Sequence, residues 1–85
     1  MYRYIIESKL EKILKKLAKR NRLAYDKILN KIDEIIQNPE HYKPLKNELK
    51  GIRRAHLGHF VLTFQIKDNT IIFLDFDHHD NIYEK

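Results

Sequence analysis

The stretch that decides the fold runs from Gly51 to Asp77 and reads GIRRAHLGHFVLTFQIKDNTIIFLDFD. Most of its residues are apolar, β-branched or aromatic, which favours β-strands. Two groups of turn-forming residues, Gly58-His59 and Lys67-Asp68-Asn69, divide it into three segments near 51–57, 60–66 and 70–77. Because connections this short join antiparallel neighbours, the stretch predicts an antiparallel β-meander.

Side chains alternate between the two faces of a strand, so the sequence also predicts which face is buried. In the middle strand, one face carries Phe60, Leu62, Phe64 and Ile66, and the other carries Val61, Thr63 and Gln65. In the last strand, Ile72, Leu74 and Phe76 share one face, with Phe73, Asp75 and Asp77 opposite. We expect helices to cover the more apolar face, and the face carrying Arg54 and His56 to look toward solvent or a ligand.

The first half of the chain predicts one strand and a helical hairpin. Tyr2 to Ile6 is a short aromatic and β-branched run, and Ser8 with Glu11 forms a capping-box pattern. Two amphipathic stripes follow on either side of Asn21, consisting of Leu10, Ile13, Leu14 and Leu17, and then Leu29, Ile32, Ile35 and Ile36 with Ile28 beside them. Asn38-Pro39 ends the second helix, and residues 39–48 form a loop. The expected fold is one α+β domain over residues 1–85 with the order β-α-α-β-β-β.

Composition limits the possible functions. The 85 residues suffice for one small core, and zero cysteines exclude disulfides and thiolate zinc sites. No apolar run reaches the roughly 20 residues of a membrane span, and no signal-peptide core is visible, so we expect a cytoplasmic protein. The net charge of +5 combines 13 − 7 = +6 for residues 1–50 with 4 − 5 = −1 for residues 51–85. Such a chain suits a polyanion or an acidic protein partner.

The C-terminal half carries residues that suit RNA cleavage without a metal. That reaction needs a base for the ribose 2′-hydroxyl, cations for the phosphorane, and an acid for the leaving oxygen. Arg54 and His56 are two residues apart on a strand, so they share a face. His78 and His79 come at the end of the last strand, where one of them can join that face, and Tyr83 can bind a phosphate or stack on a base. Lys46 and Lys50 precede the first of these strands and can bind the RNA backbone.

The order of these features resembles the RelE/ParE superfamily of toxins from toxin–antitoxin pairs. The resemblance rests on Leu49-Lys50-Gly51, the basic strand with Arg53 and Arg54, the turn at Gly58, and His78-His79 followed by Tyr83. It covers nearly the whole chain and implies the β-α-α-β-β-β fold. For a RelE-like member it implies ribosome-dependent cleavage of mRNA in the A site, arrest of translation, and a helical, acidic antitoxin that forms a hetero-oligomer with the toxin.

Alignment through Gly58 and Tyr83 implies catalytic roles for Arg54, His56, His78, His79 and Tyr83. The family pattern has an arginine after the turn aromatic, where this chain has Val61. That arginine commonly contacts the scissile phosphate, so Arg53, Arg54 or a lysine has to replace it here. The candidate RNA-binding residues are therefore Lys46, Lys50 and Arg53.

Three other interpretations remain open. A ParE-like, non-catalytic toxin that inhibits DNA gyrase would have the same fold, as would a cleavage-deficient antitoxin-binding relative or a plain RNA-binding module. The His and Asp residues between Asp75 and Asp80 suit divalent metals. Since the sequence has no second, separated group of ligands, we predict neither a metal nor a cofactor.

Overall fold

The computed structural model describes residues 2–45 and 51–83, with only the backbone of Tyr83. The elements are β1 (Arg3–Ile6), α1 (Ser8–Arg20), α2 (Arg22–Gln37), a 3-10 helix (Pro39–His41), β2 (Ile52–Leu57), β3 (Phe60–Lys67), β4 (Thr70–His78) and α3 (His79–Tyr83). The predicted α+β order is confirmed, and the short α3 is an addition that the sequence did not indicate.

The four strands form one mixed sheet in the order β1-β4-β3-β2. β2, β3 and β4 pair antiparallel, as the short turns predicted. β1 pairs parallel with β4, placing Arg3 opposite Thr70 and Ile6 opposite Phe73. β4 is therefore a central strand, and β2 is separated from it by β3.

The main core lies between the helical hairpin and one face of the sheet. The helices contribute Leu10, Leu14, Ile28, Ile32 and Ile35, and the sheet contributes Ala55, Leu62, Phe64, Ile71 and Phe73. The helical stripes and the predicted inward face of β3 are thus confirmed. Burial of these apolar side chains is the main stabilising contribution available to a chain of this length.

A β-bulge changes the predicted faces of β4. Thr63 pairs with Asp75 but Phe64 pairs with Phe73, so Leu74 is the extra residue. An extra residue reverses the alternation of side chains beyond it. Phe73 therefore lies fully buried in the main core, on the same face as Phe76, and the prediction that grouped Phe73 with Asp75 and Asp77 is wrong.

The second face of the sheet is partly covered. Val61 is fully buried in a small core with Leu45 and Ile82, and Ile52 packs against them. Thr63, on the same face, is also buried. The prediction that this face looks toward solvent or a ligand is therefore wrong for Val61 and Thr63. Leu45 comes from a segment along the β2 edge, and Ile82 comes from α3.

The ends of the helices differ in how well the sequence predicted them. α1 begins at Ser8 itself, and the residue before it, Glu7, makes no side-chain capping bond, so the predicted capping box is wrong. Glu7 still donates its N–H to the Phe73 carbonyl, which shows that strand pairing continues up to the first helical residue. Asn21 caps α2 by accepting a bond from the Ala24 N–H, and α2 ends just before Asn38-Pro39 as predicted. Within the described part of the chain, no helix has both the length and the apolar character of a membrane span.

Candidate functional site

All five histidines of the chain lie around one end of the sheet, which we call the histidine end. β2 finishes there at Leu57, β3 begins at Phe60 and β4 finishes at His78. His59 is in the turn between β2 and β3, and its carbonyl accepts a 2.9 Å hydrogen bond from the His79 N–H. His56 is the penultimate residue of β2, and His41 lines the same groove as His56. Three chain segments distant in sequence therefore bring their imidazoles to one region.

A basic groove of about 290 Å³ runs along the β2 edge at this end of the sheet. Its charged and titratable lining consists of His41, Lys43, Arg54 and His56, with Tyr42 and Ala55 between them. Residues 43–45 pair with the edge of β2, because the Leu45 N–H donates to the Ile52 carbonyl and the Arg54 N–H donates to the Lys43 carbonyl. The groove begins where this pairing stops. Two cations and two imidazoles thus face a recess that can hold an anion.

Arg54 is held in place at this groove by the preceding segment. Its Nη1 donates to the Pro44 carbonyl at 3.1 Å, and its side chain is half-buried. His56 is exposed. A guanidinium with one nitrogen fixed by a carbonyl loses less conformational freedom when it binds a phosphate.

His78, His79 and Asp80 form a compact group where β4 passes into α3, and we call it the His-His-Asp cluster. His79 Nδ1 lies 2.8 Å from Asp80 Oδ1, and His78 Nδ1 lies 3.5 Å from Asp80 Oδ2. The Asp80 N–H donates to His78 Nδ1 at 3.2 Å. Asp77 stabilises the junction between β4 and α3, since its Oδ1 accepts hydrogen bonds from the His78 N–H and from Asn81 Nδ2.

Aromatic rings adjoin the histidines. Phe60 is 42% exposed, and its ring lies nearly parallel to that of Phe76 with centroids 5.1 Å apart. The rings of His59 and His78 are also nearly parallel, at 6.2 Å. Exposed, rigid aromatic surfaces are the usual platform for unstacked RNA bases.

An ion pair joins α1 to the second face of the sheet. Lys9 Nζ lies 2.8 Å from Asp75 Oδ2, and Asp75 is largely buried. The hydrogen bond to Asp75, with the attraction of its charge, raises the pKa of Lys9 above the usual lysine range. The negative charge of Asp75 is therefore balanced locally, which reduces the repulsion that a buried carboxylate would exert on a nearby phosphate.

The structure brings together only some of the residues that the sequence singled out. Arg54 and His56 share one face of β2, as predicted, and both line the basic groove. His78 lies on the opposite face of the sheet from them, because it pairs with Phe60. Arg53 also faces the helical side, where its Nη1 donates to the Tyr42 carbonyl at 2.7 Å, so it anchors the segment before β2. Lys46, Lys50 and the side chain of Tyr83 lie outside the described residues.

Two groove residues, His41 and Lys43, were missed by the sequence-based prediction. The segment that carries them reads Pro-Glu-His-Tyr-Lys-Pro, which indicates only a loop. The local signal is only that His41 and Lys43 precede a basic strand, along whose edge an extended segment can pair. Phe60 was assigned to the apolar face correctly, but its exposure at the strand end was not foreseen.

The comparisons with known proteins agree with this architecture. Residues 4–83 match the family model described as ParE toxin of type II toxin–antitoxin system, parDE. The chain belongs to this family. A Methanocaldococcus jannaschii protein, whose name provisionally assigns it as toxin RelE4, is 50% identical over 88 residues, covering 100% of this chain and 94% of the relative.

Solved structures place the ParE-family chain among RelE-like folds. The toxin–antitoxin complex RelBE2 of Mycobacterium tuberculosis contains a chain that is 26% identical, with a TM-score of 0.75 and coverage of 91% of this chain and 96% of that one. YafQ from Escherichia coli superposes with a TM-score of 0.74 at 21% identity, covering 98% and 99% of the two chains, which shows the fold alone. The protein is thus a toxin of the RelE/ParE superfamily.

Proposed function

We propose that this toxin is a RelE-like endoribonuclease that cleaves mRNA on the ribosome and thereby arrests translation. The observation that carries the proposal is the basic groove, in which Arg54 and Lys43 lie beside His41 and His56. A gyrase inhibitor does not require paired imidazoles next to phosphate-binding cations, whereas metal-free RNA cleavage requires both. As an mRNA-cleaving protein it would act in the cytoplasm.

In the proposed mechanism, the scissile phosphate binds at the β2 edge. Arg54 and Lys43 stabilise the additional negative charge that develops on the phosphorane. His56 removes the proton from the 2′-hydroxyl, and a second imidazole protonates the leaving 5′-oxygen. His41, the second imidazole that lines the groove, fills this role, and the sequence-based assignment of His78, His79 and Tyr83 to catalysis stays a prediction. Phe60, at the same end of the sheet but on its opposite face, provides a stacking surface for a base farther along the RNA.

The proposed partner is an antitoxin that wraps this basic protein. The M. tuberculosis relative was solved as a toxin–antitoxin complex. The net charge of +5 favours an acidic antitoxin, which associates faster with an oppositely charged surface. Residues of an acidic segment that reach the basic groove would compete directly with phosphate.

The test is induction of the chain in cells that lack its antitoxin, followed by primer-extension mapping of a translated reporter mRNA. We expect new cuts within codons for the wild type and their loss in Arg54→Ala/His56→Ala. The matched control is Arg20→Ala/Lys27→Ala, which removes two exposed side chains from the helices and should cleave like the wild type. His56→Ala alone should also lose most cleavage; because His56 is exposed, that variant is expected to stay folded.

The second candidate, a ParE-like gyrase inhibitor, is favoured by the description of the matching family model. In the same experiment, growth arrest with intact mRNA would refute the ribonuclease and support this alternative. Cuts that persist in the double variant would show instead that cleavage does not use the basic groove.

A further inference from the structure

The His-His-Asp cluster has the geometry of a divalent metal site, and we propose that it binds one borderline transition-metal ion such as Zn²⁺, Ni²⁺ or Co²⁺. Ligand atoms of His78, His79 and Asp80 all lie within 4.8 Å of one another. Ligand atoms held at about 2.1 Å from one tetrahedral ion lie about 3.4 Å apart. His79 Nδ1 lies 2.8 Å from Asp80 Oδ1 and His78 Nδ1 lies 3.5 Å from Asp80 Oδ2, so each imidazole has one carboxylate oxygen at about this distance. Small side-chain movements therefore suffice to surround an ion.

The chemistry of the three ligands selects the class of metal. Two imidazoles and one carboxylate suit Zn²⁺, Ni²⁺ and Co²⁺, whereas Mg²⁺ and Ca²⁺ prefer oxygen ligands. The bond from the Asp80 N–H to His78 Nδ1 requires a lone pair on that nitrogen. That lone pair faces the backbone N–H of Asp80, and a metal would replace this hydrogen bond of 3.2 Å.

Neighbouring groups hold the ligands where they are. Asp77 bonds the His78 N–H at 2.8 Å and Asn81 Nδ2 at 2.9 Å, which fixes the start of α3. The His59 carbonyl bonds the His79 N–H, and the His59 ring lies against that of His78. Support of this kind orients metal ligands and increases their affinity. The three ligands are consecutive in the sequence. Their spacing alone therefore did not predict a metal site.

The site is separate from the basic groove, since β3 lies between β2 and β4. Metal binding does not depend on the proposed ribonuclease activity, so failure of one proposal leaves the other intact. The sequence-based prediction of no metal rested on the lack of a second group of ligands. Here one compact group provides three, and water completes the coordination.

The experiment is a titration of the untagged, full-length chain with Zn²⁺ by calorimetry, together with the visible absorption spectrum of the Co²⁺ form. We expect one ion per chain and the absorption of tetrahedral Co²⁺ with nitrogen and oxygen ligands. Asp80→Asn and His79→Gln should each weaken Zn²⁺ binding by at least about tenfold. His41→Gln, the matched control, removes a histidine outside the cluster and should bind like the wild type.

Three results would overturn the proposal: no saturable binding to the wild type, equal binding by the wild type and Asp80→Asn, or an equal loss in His41→Gln. Asp80 has a 59% exposed side chain, so Asp80→Asn is expected to fold, and circular dichroism checks this directly.

Discussion

Val61 lies fully buried on the second face of the sheet, packed with Leu45 and Ile82. The family pattern has an arginine at this position. The apolar contacts explain how the chain accommodates a valine here, because Leu45 from the segment before β2 and Ile82 from α3 pack on it. In the proposed mechanism, phosphate binding then depends on cations at the β2 edge, where Arg54 and Lys43 line the groove.

Introducing an arginine at position 61 should therefore destabilise the folded protein. We expect Val61→Arg to lower the free energy of unfolding by on the order of 3 kcal/mol or more, because a charge without a partner would replace a buried methyl group. Gln65→Arg, on the same face but only half-buried, should change it by about 1 kcal/mol or less. Urea unfolding followed by circular dichroism measures both. A stable Val61→Arg protein with faster RNA cleavage would contradict this interpretation of the small core.

At the scale of elements, the bulge in β4 decides which side chains reach the main core. Phe73 is fully buried there, next to Phe64, whereas Leu74 is only half-buried. Strict alternation along β4 would have given the reverse. The bulge also brings Phe76 to the main-core face, beside the exposed Phe60, and leaves Asp75 and Asp77 on the other.

Alanine substitutions distinguish the two arrangements. We expect Phe73→Ala to lower the free energy of unfolding by about 3–5 kcal/mol, because it leaves a large cavity among buried side chains. Leu74→Ala, the matched control, should cost about 1–2 kcal/mol, since part of the leucine already contacts water. Chemical denaturation of both variants provides the comparison. A larger loss for Leu74→Ala would place Leu74 in the core and reject the bulge.

Local sequence patterns account for most of the fold and for part of the site. Helical stripes and short turns are local features, so the hairpin and the meander were predictable. The register shift at Leu74 was not, because it depends on how β4 packs against both β3 and the helices. Similarly, spacing placed Arg54 and His56 on one face. The position of Lys43 beside Arg54 was not predictable from spacing, because it depends on the pairing of its segment with β2.

At the scale of the whole molecule, positive charge is concentrated on α1. Lys12, Lys16 and Lys19 are exposed on this helix, and among the described residues none of them is in an ion pair. On α2, by contrast, Arg22 pairs with Asp26 at 3.4 Å and Lys31 pairs with Glu34 at 3.6 Å. α1 therefore presents the larger uncompensated charge to a polyanion.

This difference should appear in the salt dependence of RNA binding. Replacing Lys12, Lys16 and Lys19 with Gln should reduce the slope of log K against log salt by about 2, since each phosphate contact to single-stranded RNA contributes about 0.7. The matched control replaces Arg22, Lys27 and Lys31 and should have a smaller effect. Fluorescence anisotropy with a labelled RNA at several salt concentrations measures both slopes. An equal reduction of the slope in the two triple variants would show that the charges on α1 and α2 contribute equally to RNA binding.

The parallel pairing of β1 with β4 has a consequence for synthesis of the toxin. Residues 3–6 emerge from the ribosome before the other strands, yet their partners are residues 70–73. Strand pairs so distant in sequence form late, because a long loop must close before they gain any contacts. β1 can pair only after residues 70–73 have been made. The sheet is therefore incomplete while α1, α2, β2 and β3 are synthesised, so the growing chain carries an unpaired first strand during most of this domain's translation.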